Sequence, residues 1–451
     1  MTTGDHTRRR FLGSTAAGAV AASMSASPRL SAAGAGAARG PNDTINLALI
    51  GCGARGADQV MPSFQKLPGV RMVAVCDVNA RHLAAARRKA GGDRVAAYHD
   101  YRKLLDDQAV DAVIIATQAH WHALITVAAC QAGKDVYLEK PLGNAIGEGR
   151  PVIEAARKHG RIVQFGTQQR SQEHYRKAVE VIQSGRLGEI SEVKVWDHSY
   201  RAPGRGFPAN CSPPEELDWD FYVGPAPMQS YNPNMYFNYG YDWFKLSGGG
   251  HQVAWGVHHF DIVLWAMGVK WPVVASALGG QFAYHDDAEW PNAFDATLQF
   301  GPGPVARNGF LLQYSMRLGC RRVQRSHAKC FYGTEASMLL DRSRYSIVVE
   351  TKDDRKVVAA GDLIGPEENH PARDDSTRHS EVFLECIRSR TPPAANAETG
   401  HDATNLGHLM NISWQVGRSI RWDGEQEQVL GDPEANALVS KPYRAPWKLV
   451  V

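Results

Sequence analysis

The apolar positions in the first part of the chain form short runs that alternate with helical stretches. Apolar runs occupy residues 45–50, 70–76 and 111–117, and an Ala- and Arg-rich helical stretch reaches about Ala90. Continuous apolar strands separated by helices are typical of a parallel sheet that is covered on both faces. The pattern therefore predicts an open α/β domain here.

Strand-like segments dominate the pattern further along. These segments either alternate between apolar and polar residues or run apolar throughout, as strands do. We predict strands at 189–199, 293–300, 310–316, 328–332 and 346–351. Two late helical stretches, 378–388 and 405–418, are expected to pack back on the rest of the structure.

The first predicted strand runs directly into a G-x-G-x-x-G motif. Gly51 would make the tight turn, Gly53 would let the backbone approach a pyrophosphate, and Gly56 would bring the next helix close to the sheet, with Arg55 inside the motif. The second apolar run ends in Asp77, about 20 residues further on, where an acid can accept hydrogen bonds from the adenosine ribose. We predict an NAD site. NADP is the less favoured cofactor, and a Gly-rich loop with a structural Asp is the alternative.

The residues after the third apolar run are expected near the nicotinamide. Ligands of open parallel sheets bind beyond the carboxyl ends of the strands. Thr117, at the end of the strand, would lie there with Gln118, His120 and His122 of the loop that runs from Gln118 to His122. For both histidines, a helix cap or a hydrogen bond to loop backbone is an equally good interpretation.

A second polar element, Glu139-Lys140-Pro141, follows the predicted strand at 134–138. A lysine beside a Pro-fixed backbone at this sheet edge can exchange a proton with a substrate hydroxyl. A surface lysine in a turn is the alternative interpretation of Lys140 taken alone.

Residues 1–40 do not look like part of a folded domain. The run Thr7-Arg8-Arg9-Arg10-Phe11-Leu12 is a twin-arginine pattern, followed by small, weakly apolar residues and Ala-x-Ala cleavage candidates. The apolar run is shorter than the ~20 residues that a bilayer requires. We expect a twin-arginine signal peptide and an exported, periplasmic protein without a membrane span. A disordered basic leader is the alternative.

The composition limits the classes of protein to which this chain can belong. The 451 residues carry a net charge of +3, without the basic clusters that nucleic-acid binding needs. The seven cysteines show no C-x-x-C spacing, and Cys320 with Cys330 is the one pair worth testing as a disulfide. The length favours two domains after the leader.

Together these motifs resemble the Gfo/Idh/MocA oxidoreductase family. The resemblance rests on the glycine motif with Asp77, the E-K-P element and several later segments. These segments are Gly166-Thr167-Gln168-Gln169-Arg170-Ser171, Leu217-Asp218-Trp219-Asp220, Gly224-Pro225-Ala226-Pro227, the glycines 248–250, and Pro442-Tyr443-Arg444-Ala445-Pro446-Trp447.

The resemblance implies a Rossmann domain over 42–165 and a substrate-binding α/β domain over 166–451 with a large open, mainly antiparallel sheet. It also implies a carbohydrate substrate and a homo-oligomer. Gln168 is expected at the cofactor with Glu139 and Lys140. The expected substrate residues are Gln169, Arg170, Tyr175, Trp243, His251, His258 and His259. The aromatic region 200–244 is expected either to recognise a sugar or to pack as a long loop or subunit interface.

One position departs from the family pattern. The family helix after the glycines carries an Asp and, four residues later, a His; here His258 matches the His, but Ala254 stands at the Asp position. One interpretation of His251, one turn earlier, is that it partly replaces the Asp, and the favoured one is a packing or capping role. His258 and Lys140 are the predicted proton-transfer groups. No metal is expected, because His258 and Asp261 supply only one helical ligand pair.

Three functions follow, in order of preference. The first is an exported sugar or polyol oxidoreductase with a tightly held nicotinamide cofactor. The second is a redox-neutral glycosidase or lyase that works through a transient keto-sugar. The third, motivated by Ala254, is a non-catalytic sugar- or NAD-binding protein.

Overall fold

The computed structural model describes residues 44–199, 205–237, 239–320, 325–350, 367–372 and 376–451. The predicted signal peptide at 1–40 lies outside these residues. Within them, no helix is long and apolar enough to cross a membrane.

A six-stranded parallel sheet forms the core of the N-terminal half. Its spatial order is β3-β2-β1-β4-β5-β6, with every neighbouring pair parallel. The order reverses between β1 and β4, which is where such sheets bind ligands. The strands are β1 (Ile45–Ile50), β2 (Val70–Cys76), β3 (Ala96–Tyr98), β4 (Ala112–Ile115), β5 (Asp135–Leu138) and β6 (Val163–Phe165). The predicted parallel α/β fold is confirmed.

The helices of this half cross over between the strands. A π-helical turn, Gly56–Val60, leads into α1 (Met61–Gln65). The others are α2 (Ala80–Ala90), α3 (Tyr101–Leu105), α4 (Ala119–Gln131) and α5 (Gly149–Lys158). The prediction that residues up to His122 form a loop was wrong, because α4 begins at Ala119.

A ten-stranded sheet follows, in the order β14-β13-β12-β11-β7-β10-β9-β8-β15-β16. Within this sheet, β7 and β10 are the only described neighbours that pair in parallel, so the predicted mainly antiparallel sheet is confirmed. The strands are β7 (Ile190–His198), β8 (Val274–Gly280), β9 (Ala293–Phe300), β10 (Phe310–Arg317), β11 (His327–Gly333), β12 (Ala336–Leu340), β13 (Arg344–Val349), β14 (Glu367–Pro371), β15 (Ile420–Asp423) and β16 (Gln428–Val429).

The remaining helices connect or cover the two sheets. They are α6 (Glu173–Gln183), α7 (Trp219–Val223), α8 (Pro233–Tyr236), α9 (His251–Ala254), α10 (Gly256–Met267), α11 (Thr377–Ser389), α12 (Ala397–Val416) and α13 (Pro433–Ala437). Phe383 and Leu384 of α11 share a core cluster with Leu47 and Leu49 of β1. The late helix thus packs back on the nucleotide half, as its apolar pattern predicted.

Candidate active site

The glycine motif forms a cradle at the end of β1. Gly51 has a φ of +93°, and a Cβ there would lie 2.6 Å from the Ala116 carbonyl carbon. A Cβ at Gly56 would collide with the Gly51 carbonyl oxygen, whereas a Cβ at Gly53 would meet no atom within 4 Å. The open space above Gly53 is where a pyrophosphate needs close access to the backbone, so the cradle fits a dinucleotide.

Asp77 closes the far end of this cradle. Its carboxylate accepts hydrogen bonds from the backbone N–H groups of Cys52, at 2.6 Å, and Asn79, at 2.7 Å. Burial raises the pKa of Asp77, and these two N–H groups act in the opposite direction. Asp77 lines the cavity at the position expected for a ribose-binding acid.

A cavity of about 300 Å³ lies above the cradle. Its first wall belongs to the parallel sheet and includes Gly51, Gly53, Arg55, Asp77, Asn79, Thr117 and Gln118. Its second wall is largely aromatic and comes from a distant part of the chain: Leu217, Phe221, Tyr222, Tyr236, Tyr239 and Tyr241. Part of the region predicted to recognise a sugar therefore faces the nucleotide cavity.

We call residues 216–241 the covering segment, because several contacts tie it to the nucleotide half. The Asp218 N–H donates to the Val78 carbonyl at 3.1 Å, and the Ala80 N–H donates to the Glu216 carbonyl at 2.9 Å. The Asn79 side-chain amide donates to the Tyr236 hydroxyl at 2.8 Å. These bonds hold the segment over the adenosine end of the cavity.

The end of the chain supports the covering segment from outside. The Trp447 ring stacks on Phe221, with centroids 5.6 Å apart, and contacts Trp121 edge-on at 4.7 Å. Arg444 donates to the Gly224 carbonyl at 2.8 Å.

The E-K-P element lies at the carboxyl end of β5 and is linked to the glycine motif. Arg55 pairs with buried Glu139 at 2.6 Å, and the Gln168 amide lies 3.3 Å from the same carboxylate. Although burial opposes ionisation of Glu139, Arg55 shifts its pKa below the usual value. This charged pair therefore joins the glycine motif to the E-K-P element.

Lys140 directly follows Glu139 in the E-K-P element. Burial lowers the pKa of its ammonium group, while the negative charges of Asp242 and Glu139 raise it. Arg55 and Arg342 add repulsion that lowers it further. A lysine in such surroundings can lose its proton more readily than one in water.

His258 lies on α10, just after an irregularity in the helix at Trp255. Its side chain is buried, and burial followed by the charges of Arg342 and Lys140 lowers its pKa well below the ordinary value. Among the described residues, its Nδ1 atom has no hydrogen-bond partner. Buried polar atoms are rarely left without a partner, so the Nδ1 atom of His258 is open to a hydrogen bond with a substrate hydroxyl.

Aromatic rings surround His258. His251 stacks between Trp243 and Trp255, with centroids 6.1 Å from each. Trp255 also contacts the His258 ring at 5.6 Å, and the Arg342 guanidinium lies 5.1 Å from the Trp255 centroid. Since His251 also contacts the carboxylate of Asp197 on β7, the structure gives it a packed position beside the site.

The two histidines of α4 are placed differently. The His120 ring nitrogens lie 3.1 and 3.4 Å from the carbonyl oxygens of Tyr222 and Ser247, and those of His122 lie 2.5 and 3.1 Å from the carbonyls of Pro141 and Thr117. Neither is among the described residues that line the cavity. Burial lowers the pKa of both, that of His120 to about 4. Through these contacts, His120 joins α4 to the covering segment. His122 joins the end of β4 to the E-K-P turn.

The remaining predicted substrate residues form a buried layer behind His258. Arg170 pairs with Asp261 at 2.7 Å, so its charge is already matched. Lys329 is fully enclosed, 3.3 Å from the Gln169 side-chain oxygen and 4.8 Å from the Tyr175 ring centroid. His259 lies in the same layer, where burial and Lys329 lower its pKa well below the usual value.

Three charged residues of this region were missed by the sequence analysis. Arg342 lies in the turn between β12 and β13, Lys329 on β11, and Asp242 in the turn Gly240–Trp243. No motif marks the two cations. Asp242 could have been noticed as the acid between two of the aromatic residues assigned to the substrate region.

The cysteines and the side chains able to bind a metal form neither a disulfide nor a metal site among the described residues. All seven cysteines fall within the described ranges and none of them forms a disulfide, with Cys320 exposed and Cys330 buried. No group of three or more metal-ligating side chains occurs in the part of the chain that the structure covers.

The parallel sheet, the cradle and the ribose-side acid define an NAD-binding protein with a second α/β domain. Two segments of the chain match models of the Gfo/Idh/MocA oxidoreductase family. Residues 45–167 match its NAD-binding Rossmann fold, and residues 366–449 match its C-terminal alpha/beta domain.

Known proteins resemble this chain to different extents. The inositol 2-dehydrogenase of Salmonella typhimurium is 36% identical over 151 residues, which cover 32% of this chain and 44% of that protein. The myo-inositol 2-dehydrogenase of Thermotoga maritima is 23% identical over 390 residues, 86% of this chain and 100% of that protein. The crystal structure of the aldose-aldose oxidoreductase of Caulobacter crescentus shares the fold, with a TM-score of 0.61 and 18% identity over 84% of this chain and 99% of that one.

Proposed function

We propose that the protein is an oxidoreductase that transfers hydride between a sugar or polyol hydroxyl and a tightly held NAD. The observation that carries the proposal is the buried, unpartnered Nδ1 of His258, a residue whose pKa is lowered by burial and by nearby charges that include Lys140. Polyol and sugar oxidation by the relatives named above supports the choice of substrate class.

The chain's own residues have separate tasks in this reaction. The cradle at Gly51–Gly56 and Asp77 would hold the cofactor, which supplies the hydride acceptor when bound. Lys140 donates a hydrogen bond to the substrate hydroxyl oxygen, and neutral His258 accepts the hydroxyl proton as the carbinol carbon is oxidised. The aromatic rings at the site offer flat apolar faces to the C–H side of a sugar.

We further propose that the cofactor stays bound between turnovers. The covering segment, held by backbone bonds and by the Asn79–Tyr236 hydrogen bond, would have to open for NAD to leave. Retention suits export of a folded, loaded protein by the predicted twin-arginine route to the periplasm. A homo-oligomer assembled through the large sheet is part of the same proposal.

A redox-neutral glycosidase or lyase is the second candidate. A covered cofactor favours it as well, because such a reaction returns the hydride to the product and needs no exchange of NAD. The absence of a carboxylate at Ala254 kept a non-catalytic binding protein as a third candidate in the sequence analysis.

Purified protein should be denatured and the released nucleotide identified by mass spectrometry, after which sugars and polyols are assayed. We expect NAD or NADH near one per chain. Lys140→Ala and His258→Ala should each lower turnover roughly a hundredfold or more and leave the nucleotide bound, because both groups act on the proton. Lys177→Ala, which removes an exposed lysine that pairs with Glu173 on α6, is the matched control and should change turnover little.

Normal turnover in both variants would refute the assigned roles. Reducing sugar released from a glycoside without net NADH would favour the second candidate. If the protein binds NAD but shows no activity on any substrate, the third candidate is favoured.

A further inference from the structure

The chain around Asp77 carries basic side chains of the kind that bind a phosphate group. Asp77 lies where an acid holds the ribose 2′-hydroxyl, so a phosphate on that hydroxyl, as in NADP, would extend towards the residues after β2. Arg81 lies there in the first turn of α2, and His99 lines the cavity together with Asp77. Guanidinium groups and the N–H groups of a helix N-terminus are common ligands of phosphate. The residues around this strand end therefore include donors that NADP would need.

Both basic side chains are already paired with carboxylates of the covering segment. An Arg81 guanidinium nitrogen lies 2.8 Å from the Glu216 carboxylate. The His99 Nε2 atom lies 2.9 Å from the Asp218 carboxylate. The backbone groups of Glu216 and Asp218 also bond to the residues after β2, so the two carboxylates are held beside the ribose end of the cavity.

The N-terminus of α2 is engaged as well. The Asn79 side-chain oxygen accepts hydrogen bonds from the N–H groups of Arg81, at 2.9 Å, and His82, at 3.0 Å. The amide nitrogen of the same side chain donates to the Tyr236 hydroxyl of the covering segment at 2.8 Å. The His82 ring is stacked with the Tyr236 ring, with centroids 6.3 Å apart. A phosphate at this helix end would have to displace both the cap and the covering segment.

We propose that the covering segment makes the site specific for NAD, with Glu216 and Asp218 as specificity-determining residues beside Asp77. The two carboxylates take the basic groups that a 2′-phosphate would use, and they add negative charge that repels it. Asp77 is then only one of three carboxylates that exclude NADP. The inference deepens the proposed function, because it concerns the cofactor of the same site and rests on NAD being bound there.

Equilibrium dialysis against equal concentrations of NAD and NADP is the direct test, with the bound nucleotides quantified by mass spectrometry. Asp77→Ser alone should still bind mainly NAD. Adding Glu216→Gln and Asp218→Asn should raise the ratio of bound NADP to bound NAD roughly a hundredfold above that of Asp77→Ser, at about tenfold for each charge removed. Asparagine is a good helix cap, so Asp218→Asn can still accept the Phe221 N–H that begins α7.

Matched variants separate the specific pairs from a general change of charge. Arg81→Ala, added to the triple variant, should remove most of the gain, because the freed guanidinium is the expected ligand of the phosphate. Glu215→Gln with Asp220→Asn removes two charges from the same stretch of chain. Glu215 is exposed, and Asp220 pairs with Arg444. In the Asp77→Ser protein this control pair should change the ratio less than roughly threefold, because exposed charges are screened by salt.

A second set of variants keeps Asp77, in case Asp77→Ser lowers the melting temperature so far that the protein unfolds. Glu216→Gln with Asp218→Asn should then raise the bound NADP to NAD ratio at least roughly tenfold over the unchanged protein. An unchanged ratio in both sets of variants would overturn the proposal. Equal binding of the two nucleotides by Asp77→Ser alone, or by the unchanged protein, would do so as well. The dialysis needs no turnover, so a protein that selects NAD in this way but is inactive on every sugar would refute only the proposed function.

Discussion

One wall of the nucleotide cavity comes from residues at the carboxyl ends of β1, β2 and β4, within 50–55, 76–82 and 116–118, whereas the opposite wall comes from residues between 217 and 241. The first wall offers glycine backbone and one carboxylate, and the second offers mainly aromatic rings. The first wall determines what binds there, because its shape and charge match a dinucleotide. In the proposed function, the second wall sets how long the cofactor stays, because it would have to move before the cofactor could leave.

The largest effect is expected from a substitution that disrupts the packing of the first wall. Gly56→Ala places a methyl group against the Gly51 carbonyl oxygen, a backbone atom that cannot turn aside. Overpacking of this kind costs roughly 1–3 kcal/mol or more, so the melting temperature should fall clearly even without cofactor. Differential scanning calorimetry of nucleotide-free protein measures this.

Gly53→Ala is the matched control, since nothing lies within 4 Å of the added methyl group. It should melt like the unchanged protein but bind NAD much more weakly, because the methyl group occupies the space for the pyrophosphate. Equal melting temperatures of the Gly56→Ala and Gly53→Ala variants would contradict the packing role of Gly56.

A smaller effect is expected at the second wall. Tyr236→Phe removes the hydroxyl that accepts the Asn79 amide and leaves the ring in place. Loss of one such hydrogen bond is worth about 0.5–1.5 kcal/mol, which corresponds to roughly two- to tenfold faster release of NAD. Release can be followed by chasing bound NADH fluorescence with excess unlabelled nucleotide. An unchanged release rate would mean that the covering segment does not control retention.

The smallest effect should come from the exposed contact of the same segment. Arg81 lies 2.8 Å from the Glu216 carboxylate, and 79% of the Arg81 side chain is exposed. Exposed pairs contribute about 0–1 kcal/mol, so Arg81→Ala should change NAD release less than Tyr236→Phe does. The same chase assay compares the two variants. A larger effect at Arg81 would place the control of release at the edge of the segment and not over the adenosine.

The sequence predicted local features well and their mutual contacts poorly. β2 and β9 were predicted at the observed residues, and β7, β10 and β11 within two residues of their ends. In contrast, β8, β12 and the two short strands near the end were not predicted, because short strands with small residues lack a clear alternating pattern. The error at His122 arose from the boundary of α4, which the apolar pattern placed three residues late.

The sequence by itself determined the cofactor cradle and the lysine beside it. The glycines, Asp77 and Lys140 each follow a strand directly, so their positions depend on a few neighbouring residues and on the general rule that parallel strands end at one edge. Tertiary structure alone decided which charges and rings meet them. Asp242, Arg342 and the covering segment come from turns and loops whose places depend on packing between residues far apart in the chain. Such contacts have no local pattern, because the energy that selects them comes from burial of surfaces that only the folded chain brings together.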